Sequence, residues 1–278
     1  MIILDYSQIV ISSYFAELKG NFESDLFKHI IFNSIRAYKK KFSTDYGTKM
    51  ILAVDAKDNW RKQIFTEYKV RRAAKKKDDD WDKIYATMQQ VKDDIINYFP
   101  YNVIEVDGAE GDDIIGVIVA ATNEKTIVVS SDKDFKQLCR YPHFRQYSHM
   151  DKSFVKTDDA DIFLKEHIIR GDSGDDIPNV LSPEKVFVME GVRQKSIFKD
   201  KMKDWLTLPI EEFLDEDQIK RFHFNQKLID LSFVPDDIQK QILEKFNRTG
   251  NLDADMSSMM HYFSRNRMRH LLDVLEDF

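Results

Sequence analysis

Four short apolar runs, each closing on an acid, constrain what this chain of 278 residues can fold into. They are Ile2-Ile3-Leu4-Asp5, Met50-Ile51-Leu52-Ala53-Val54-Asp55, Val103-Ile104-Glu105-Val106-Asp107, and Thr126-Ile127-Val128-Val129 followed by Ser130-Ser131-Asp132. Their length and their β-branched and aliphatic content predict strands. Helix-period stretches lie between them, over 26–40, 81–98 and 111–122. That alternation predicts an α/β fold, a doubly wound, mostly parallel sheet with helices on both faces. Ligands of such sheets bind outside the carboxyl ends of the strands. Asp5, Asp55 and Asp132 would all project there.

After about Pro178 the strand signal fades and the pattern becomes helical, over 183–190, 197–206, 211–222, 236–246 and 256–275. This divides the chain into an α/β domain, 1–180, and a smaller helical C-terminal lobe, 181–278. No glycine falls between 200 and 249, so no flexible linker separates lobes that should share a packed interface. The net charge of -6 argues against a generally basic nucleic-acid binder. Cys139 is the one cysteine, which excludes a disulfide framework and a cysteine-based zinc site. With no apolar run near the roughly 18 to 20 residues of a membrane span and no signal-peptide pattern, the sequence reads as cytoplasmic, without a membrane partner.

The strand-end acids are joined by three denser clusters: Glu110-Gly111-Asp112-Asp113 opening a helix, Asp132-Lys133-Asp134 after the fourth strand, and Asp172-Ser173-Gly174-Asp175-Asp176 in a loop. A helix places Glu110 and Asp113 on one face, and an extended segment points Asp132 and Asp134 the same way. Two carboxylates about 4 Å apart repel by roughly 4 kcal/mol at an effective dielectric near 20. Such a group must take up protons or hold cations. Oxygen ligands alone favour Mg²⁺ or Mn²⁺ over zinc. Any one of these acids could equally cap a helix or fill a turn; the whole set is better explained by a metal site. His143, His149, His167, His223 and His270 sit in no metal spacing and read as surface or core residues.

One strongly basic island interrupts this acidic chain. Between Trp60 and Lys77 the cations Arg61, Lys62, Lys69, Arg71, Arg72, Lys75, Lys76 and Lys77 stand against Glu67, eight against one, a net +7. Phe65 and Tyr68 are interleaved with them. Aromatic planes beside cations suit single-stranded nucleic acid, whose bases stack while its phosphates pair. The alternative is a solvated charged helix.

The order of these motifs, hhhhD, hhhD, a basic YKxxR segment, EGDD, SSDKDF and GDSGDDIPN, resembles the structure-specific 5′ nucleases of the flap endonuclease family, most closely the ribonucleases H of T-even phages. The match runs from Asp5 to about Asn179, with weaker similarity through LIDLSFVPDDI at 228–238. The resemblance implies a 5′ nuclease (PIN-like) fold in which a helical arch, about 58–82, spans the site and the C-terminal lobe binds duplex. It further implies that Asp5, Asp55, Glu110, Asp112, Asp113, Asp132, Asp134, Asp172 and Asp175 hold two Mg²⁺ ions, which Mn²⁺ could replace. By the same resemblance Asp132 is catalytic, and Tyr68, Lys69 and Arg72 contact the scissile phosphate. Lys69 and Arg72 would then stabilise transition-state charge.

The implied activity is Mg²⁺-dependent 5′ to 3′ exonuclease and flap endonuclease cleavage, removing RNA primers from RNA:DNA hybrids and processing 5′-branched DNA in replication. The implied partners are DNA and RNA:DNA hybrids with a free 5′ end, together with replication proteins, for a monomer that works in the host cytoplasm if phage-encoded. Gly171 to Asn179 would begin a duplex-gripping helix–three-turn–helix element. Asp176 stands where the family has Asn, and only Gly191 remains of the expected glycine-rich hairpin. Two rivals are weaker. A non-catalytic nucleic-acid binding module would not need the full acid set with Lys69 and Arg72. A small-molecule phosphohydrolase would carry its DxD on the first strand and has no use for the basic island.

Overall fold

The computed structural model describes residues 1–74, 81–248 and 254–278. Its sheet has six strands: β1 Ile2–Asp5, β2 Met50–Ala53, β3 Asn102–Ile104, β4 Thr126–Val129, β5 Phe144–Ser148 and β6 Ser153–Val155. They lie in the order β3-β2-β1-β4-β5-β6. The first five are parallel, and β6 is an antiparallel edge strand on β5. The chain runs outward from β1 to β3, then crosses back to place β4 on the other side of β1. The switch point therefore falls between β1 and β4, where Leu4 pairs with Val129 and Asp5 is the next residue. A crevice opens there because the flanking connections leave in opposite directions.

Both faces of the sheet are covered, which is why β1, β2 and β4 read as unbroken apolar runs. Ile2 and Leu4 face one core, filled by Phe27 and Ile31 of α2 (Ser24–Tyr46) and by Val91 and Ile95 of α5 (Trp81–Tyr98). Helix α1 (Tyr6–Glu17) leaves β1 directly into this layer. Ile3 faces the opposite core, with Ile114 and Ile118 on the helix Gly111–Ala121 and Ile238 and Ile242 on the helix Asp236–Asn247. A third core gathers Phe65, Tyr68, Ile168, Ile177, Trp205 and Phe222. The helices of the C-terminal region are divided among all three cores.

Several sequence expectations need correction. The basic segment carries two short helices, α3 (Arg61–Ile64) and α4 (Val70–Ala74), while Lys75, Lys76 and Lys77 lie outside the described residues. Beyond α5, α6 is the helix at Gly111–Ala121 and α7 spans Ala160–Arg170. Strands β5 and β6 were not expected, because Arg145 and Gln146 break the apolar run. Residues 183–190 form turns, not a helix, and the next helix is α8, Lys199–Thr207. The expected helix over 211–222 starts later, as α9 (Glu216–Ile229), where Asp215 accepts from Gln218 N at 2.9 Å and caps it. Helix α10 is Asp236–Asn247. The stretch 256–275 is broken into α11 (Met256–Arg265) and α12 (Arg269–Leu272) by Arg267, whose φ of 57° cannot continue a helix.

Candidate active site

Asp5 ends β1 and caps α1, accepting from Gln8 N at 3.2 Å, while Ser130 Oγ donates to its other oxygen at 2.9 Å. Asp55 follows β2 and accepts from Gly111 N at 2.7 Å. The approach is close: a Cβ at 111 would lie 3.3 Å from Asp55 Oδ1 and would push that carboxylate by a few tenths of an ångström. Asp132 caps the 3₁₀ helix Lys133–Arg140 by accepting from Asp134 N at 2.9 Å. The loop that carries it is pinned from β5, where the buried Gln146 amide donates to the carbonyls of Ser130 and Asp132 at 2.9 and 2.6 Å. Burial, then Asp55, pushes Asp5 up to about 7, with Asp132 adding to the shift. Burial with Asp132 and Asp5 raises Asp112 well above the ordinary carboxylate range. Asp5, Asp55, Asp112 and Asp132 thus form one mutually repelling group at the switch point.

A second group adjoins it. Glu110, Asp112, Asp134, Asp172 and Asp175 line one narrow cleft. Asp172 reaches it from a loop that begins at Gly171, whose φ of 64° and missing Cβ allow the backbone to fold back; a Cβ there would meet Ile177 O at 2.3 Å. Asp172 accepts from Lys133 Nζ at 2.7 Å. Although burial opposes it, hydrogen bonds from His167 and Lys133 hold Asp172 below its ordinary value. Burial, with Asp132 and Asp172 outweighing His167, pushes Asp134 up to about 7. Asp134 Oδ1 is buried without a hydrogen-bond partner. Crowded buried carboxylates with an orphaned oxygen fit the chemistry of divalent cation ligation.

The basic segment is folded into this cleft. Lys69, with a positive φ of 58°, bonds Glu110 and lies 3.5 Å from Asp175. Arg72 reaches Asp175 at 3.1 Å. Tyr68 Oη donates to Glu110 at 2.8 Å and lies 3.2 Å from Asp175. Despite its burial, Glu110 is drawn down to about 2 by Lys69 and Arg61. The unusual Asp176 is explained by the same segment. Its φ is 63°, it accepts from Arg71 N at 2.9 Å, and it pairs with the Arg71 guanidinium, which also stacks 4.2 Å over Phe187.

Four candidates are not placed as expected. Asp113 is fully buried and turned from the cleft, bonded to Arg61 at 2.8 and 3.0 Å and to Trp60 Nε1 at 3.1 Å. Arg61, 3% exposed, also donates to Leu228 O and is a structural cation, not a nucleic-acid contact. Phe65, 1% exposed, packs edge-on against Phe224 and offers no face to a base. Tyr68 is likewise buried and serves the acids, not a stacking platform. Charge hid this burial in the sequence, because the apolar partners come from residues 164–229. Lys62 is exposed. His167 is buried, as a core reading expects, but among the acids: Asp134, His167 and Asp172 each offer a ligand atom within 4.8 Å of the other two. Its spacing to Asp172 crosses the turn at Gly171, so no motif reveals it.

Residues 1–167 match the family model of the 5′-3′ exonuclease N-terminal resolvase-like domain, and residues 157–278 match that of the T4 RNase H C-terminal region. The chain is 31% identical over 261 residues to the ribonuclease H of Enterobacteria phage T4, covering 88% of this chain and 85% of that protein. It is 28% identical over 194 residues to a 5′-3′ exonuclease of Buchnera aphidicola subsp. Schizaphis graminum, covering 65% of each. Among solved structures, the bacteriophage T5 flap endonuclease in a pseudo-enzyme-product complex with DNA and metal ions superposes with a TM-score of 0.62 at 19% identity, covering 89% of this chain and 99% of that one. A T5 5′-exonuclease with bound zinc superposes equally well, at 18% identity over 88% and 98% of the two chains. These two show a shared fold.

Proposed function

The chain belongs to the 5′-3′ exonuclease family and is a nuclease; from that premise we propose that it is a Mg²⁺-dependent 5′ nuclease that removes RNA primers from RNA:DNA hybrids and cleaves 5′-branched DNA. The observation that carries this reading is the delivery of Lys69 and Arg72 into a strand-end cluster of carboxylates. Cations beside metal-ligating acids suit a phosphodiester, whose charge rises in the transition state.

Asp5, Asp55, Asp112 and Asp132 would hold one cation, and Asp134, Asp172 and Asp175 the other, with Glu110 between them. When bound, two divalent cations lower the proton affinity of an attacking water and neutralise the leaving oxygen. Mn²⁺ would substitute, because every donor in these sets is a hard carboxylate oxygen. The residues of the chain do the positioning. Ser130 and Gly111 N fix the oxygens of Asp5 and Asp55, and Gln146 fixes the Asp132 loop. Lys69 and Arg72 would turn from Glu110 and Asp175 onto the scissile phosphate. Lys62 is exposed on the same segment and would track the strand, and Arg71, half-buried and held by Asp176 and Phe187, would do so only at its rim. We assign the chemistry to residues 1–180, and duplex gripping to 181–278, where Asn179 anchors the irregular stretch by donating to Lys195 O at 2.6 Å. The reading implies a monomer acting in the cytoplasm, the host's if the protein is phage-encoded. Among the described residues no helix is long and apolar enough to cross a membrane.

A gel assay with a 5′-labelled flap and an RNA:DNA hybrid tests the reading. Cleavage of both from the 5′ end in Mg²⁺, abolished by chelator, is expected. Binding without cleavage would instead support the non-catalytic module.

A further inference from the structure

His167 lies on α7 and is 6% exposed. Its Nε2 is 3.1 Å from Asp172 Oδ2, a hydrogen bond, and its Nδ1 is 3.5 Å from Asp134 Oδ1, which is not. Nδ1 and Asp134 Oδ1 are both buried, and neither has a hydrogen-bond partner. A neutral imidazole that donates from Nε2 must present a lone pair at Nδ1. Two acceptors therefore aim at one space beside the second group of acids, an arrangement that a divalent cation resolves and that a proton on Asp134 would relieve in its absence.

We propose that His167 Nδ1 is a ligand of the cation held by Asp134, with Asp172 orienting the imidazole through Nε2. The carboxylate–imidazole–metal relay has a physical reason: the outer hydrogen bond fixes the tautomer and raises the basicity of the ligating nitrogen. Lys133 Nζ engages the same Asp172 oxygen at 2.7 Å, and Gly174 N donates to the other oxygen at 2.7 Å, so the relay is itself braced. An imidazole nitrogen in place of one oxygen favours transition ions such as Mn²⁺ over Mg²⁺. The second cation site is thus more selective for Mn²⁺ than the all-carboxylate first. This inference rests on the two-cation reading above.

The test loads the full chain with Mn²⁺ to saturation, counts bound ions by electron paramagnetic resonance, and records electron spin-echo envelope modulation. A directly bonded imidazole nitrogen is expected to give strong ¹⁴N coupling, converted to a ¹⁵N pattern when histidine is ¹⁵N-labelled. His167→Gln should erase that coupling and weaken Mn²⁺ binding at one site by roughly 10–100-fold, the range for a lost ligand or its support, with a smaller loss for Mg²⁺. Bound Mn²⁺ with no nitrogen coupling overturns the inference and leaves the two-cation reading standing; so does coupling that persists in folded His167→Gln. No Mn²⁺ binding overturns the reading itself. If the variant does not fold, the wild-type spectrum decides alone, because His167 is the one histidine among the described residues in a ligand cluster.

Discussion

Arg61 grips Asp113 through two nitrogens, Nη2 at 2.8 Å and Nη1 at 3.0 Å, with both side chains sealed from water. The same Nη1 lies 3.2 Å from Glu110, so one guanidinium joins the EGDD acid sealed in the core to one that lines the cleft. Breaking such a buried pair strands an uncompensated charge. Arg61→Ala should lose about 3–5 kcal/mol of stability, read as a lower urea midpoint. A variant with the wild-type midpoint and weakened DNA binding would return Arg61 to the nucleic-acid surface.

Asp132→Asn should remove most cleavage while sparing the fold. The change deletes one charge from acids that repel one another, and the amide can still accept from Asp134 N as a cap. Metal-free Tm should hold or rise slightly. Normal cleavage by the folded variant in Mg²⁺ would refute the assignment.

In chelator, stability should fall as pH rises from about 4 to 7. Asp5 and Asp134 stand at about 7 against an ordinary 3.8, so within that window the native state keeps protons that the unfolded chain has released. The unfolded state binds fewer protons, and the slope of stability with pH is negative. Their favourable contribution is complete below the unfolded value and is lost as pH passes the folded one. Burial lowers His29 and His149, which act in the opposite sense. Comparing wild type with Asp134→Asn cancels that contribution. The variant should lose less Tm between pH 5 and 8, and Mg²⁺ should flatten the wild-type curve. Parallel curves in chelator would show that Asp134 is not crowded.

Lys69→Ala should slow single-turnover cleavage by on the order of 10²–10³, the range for a lost transition-state donor, while weakening DNA binding much less. Lys62→Ala, exposed and unengaged with the acids, should weaken binding and reduce its salt dependence with little change in rate at saturation. Normal rates for Lys69→Ala at saturating substrate would rule out its placement at the scissile phosphate.

The sheet was legible where strands are buried on both faces, since β1, β2 and β4 then have no reason to be polar. β5 was hidden by Gln146, and that residue is polar because it holds the carbonyls of Ser130 and Asp132. The acids read two ways in the sequence, as caps and as metal ligands, and the geometry shows that capping leaves an oxygen over. Asp5 caps α1 with one oxygen while the other faces Ser130 beside the cleft. Burial of Phe65 and the place of His167 depend on residues far along the chain or across a turn, and no local pattern encodes either.

If Lys69 turns onto the scissile phosphate as proposed, it would make substrate and cation answer to each other. Its ammonium engages Glu110 and Asp175, acids at the border of the proposed cation sites. On the proposed function, a phosphate that drew Lys69 away would free those oxygens for a cation, and the same oxygens engaged by a cation would free Lys69 for the phosphate. Reciprocity makes the two effects equal: the factor by which substrate raises cation affinity is the factor by which cation raises substrate affinity. The basic segment, a counter-ion to Glu110 and Asp175 in this structure, would become a clamp once both ligands assemble, so neither would meet the site in its final electrostatic state until the other was present.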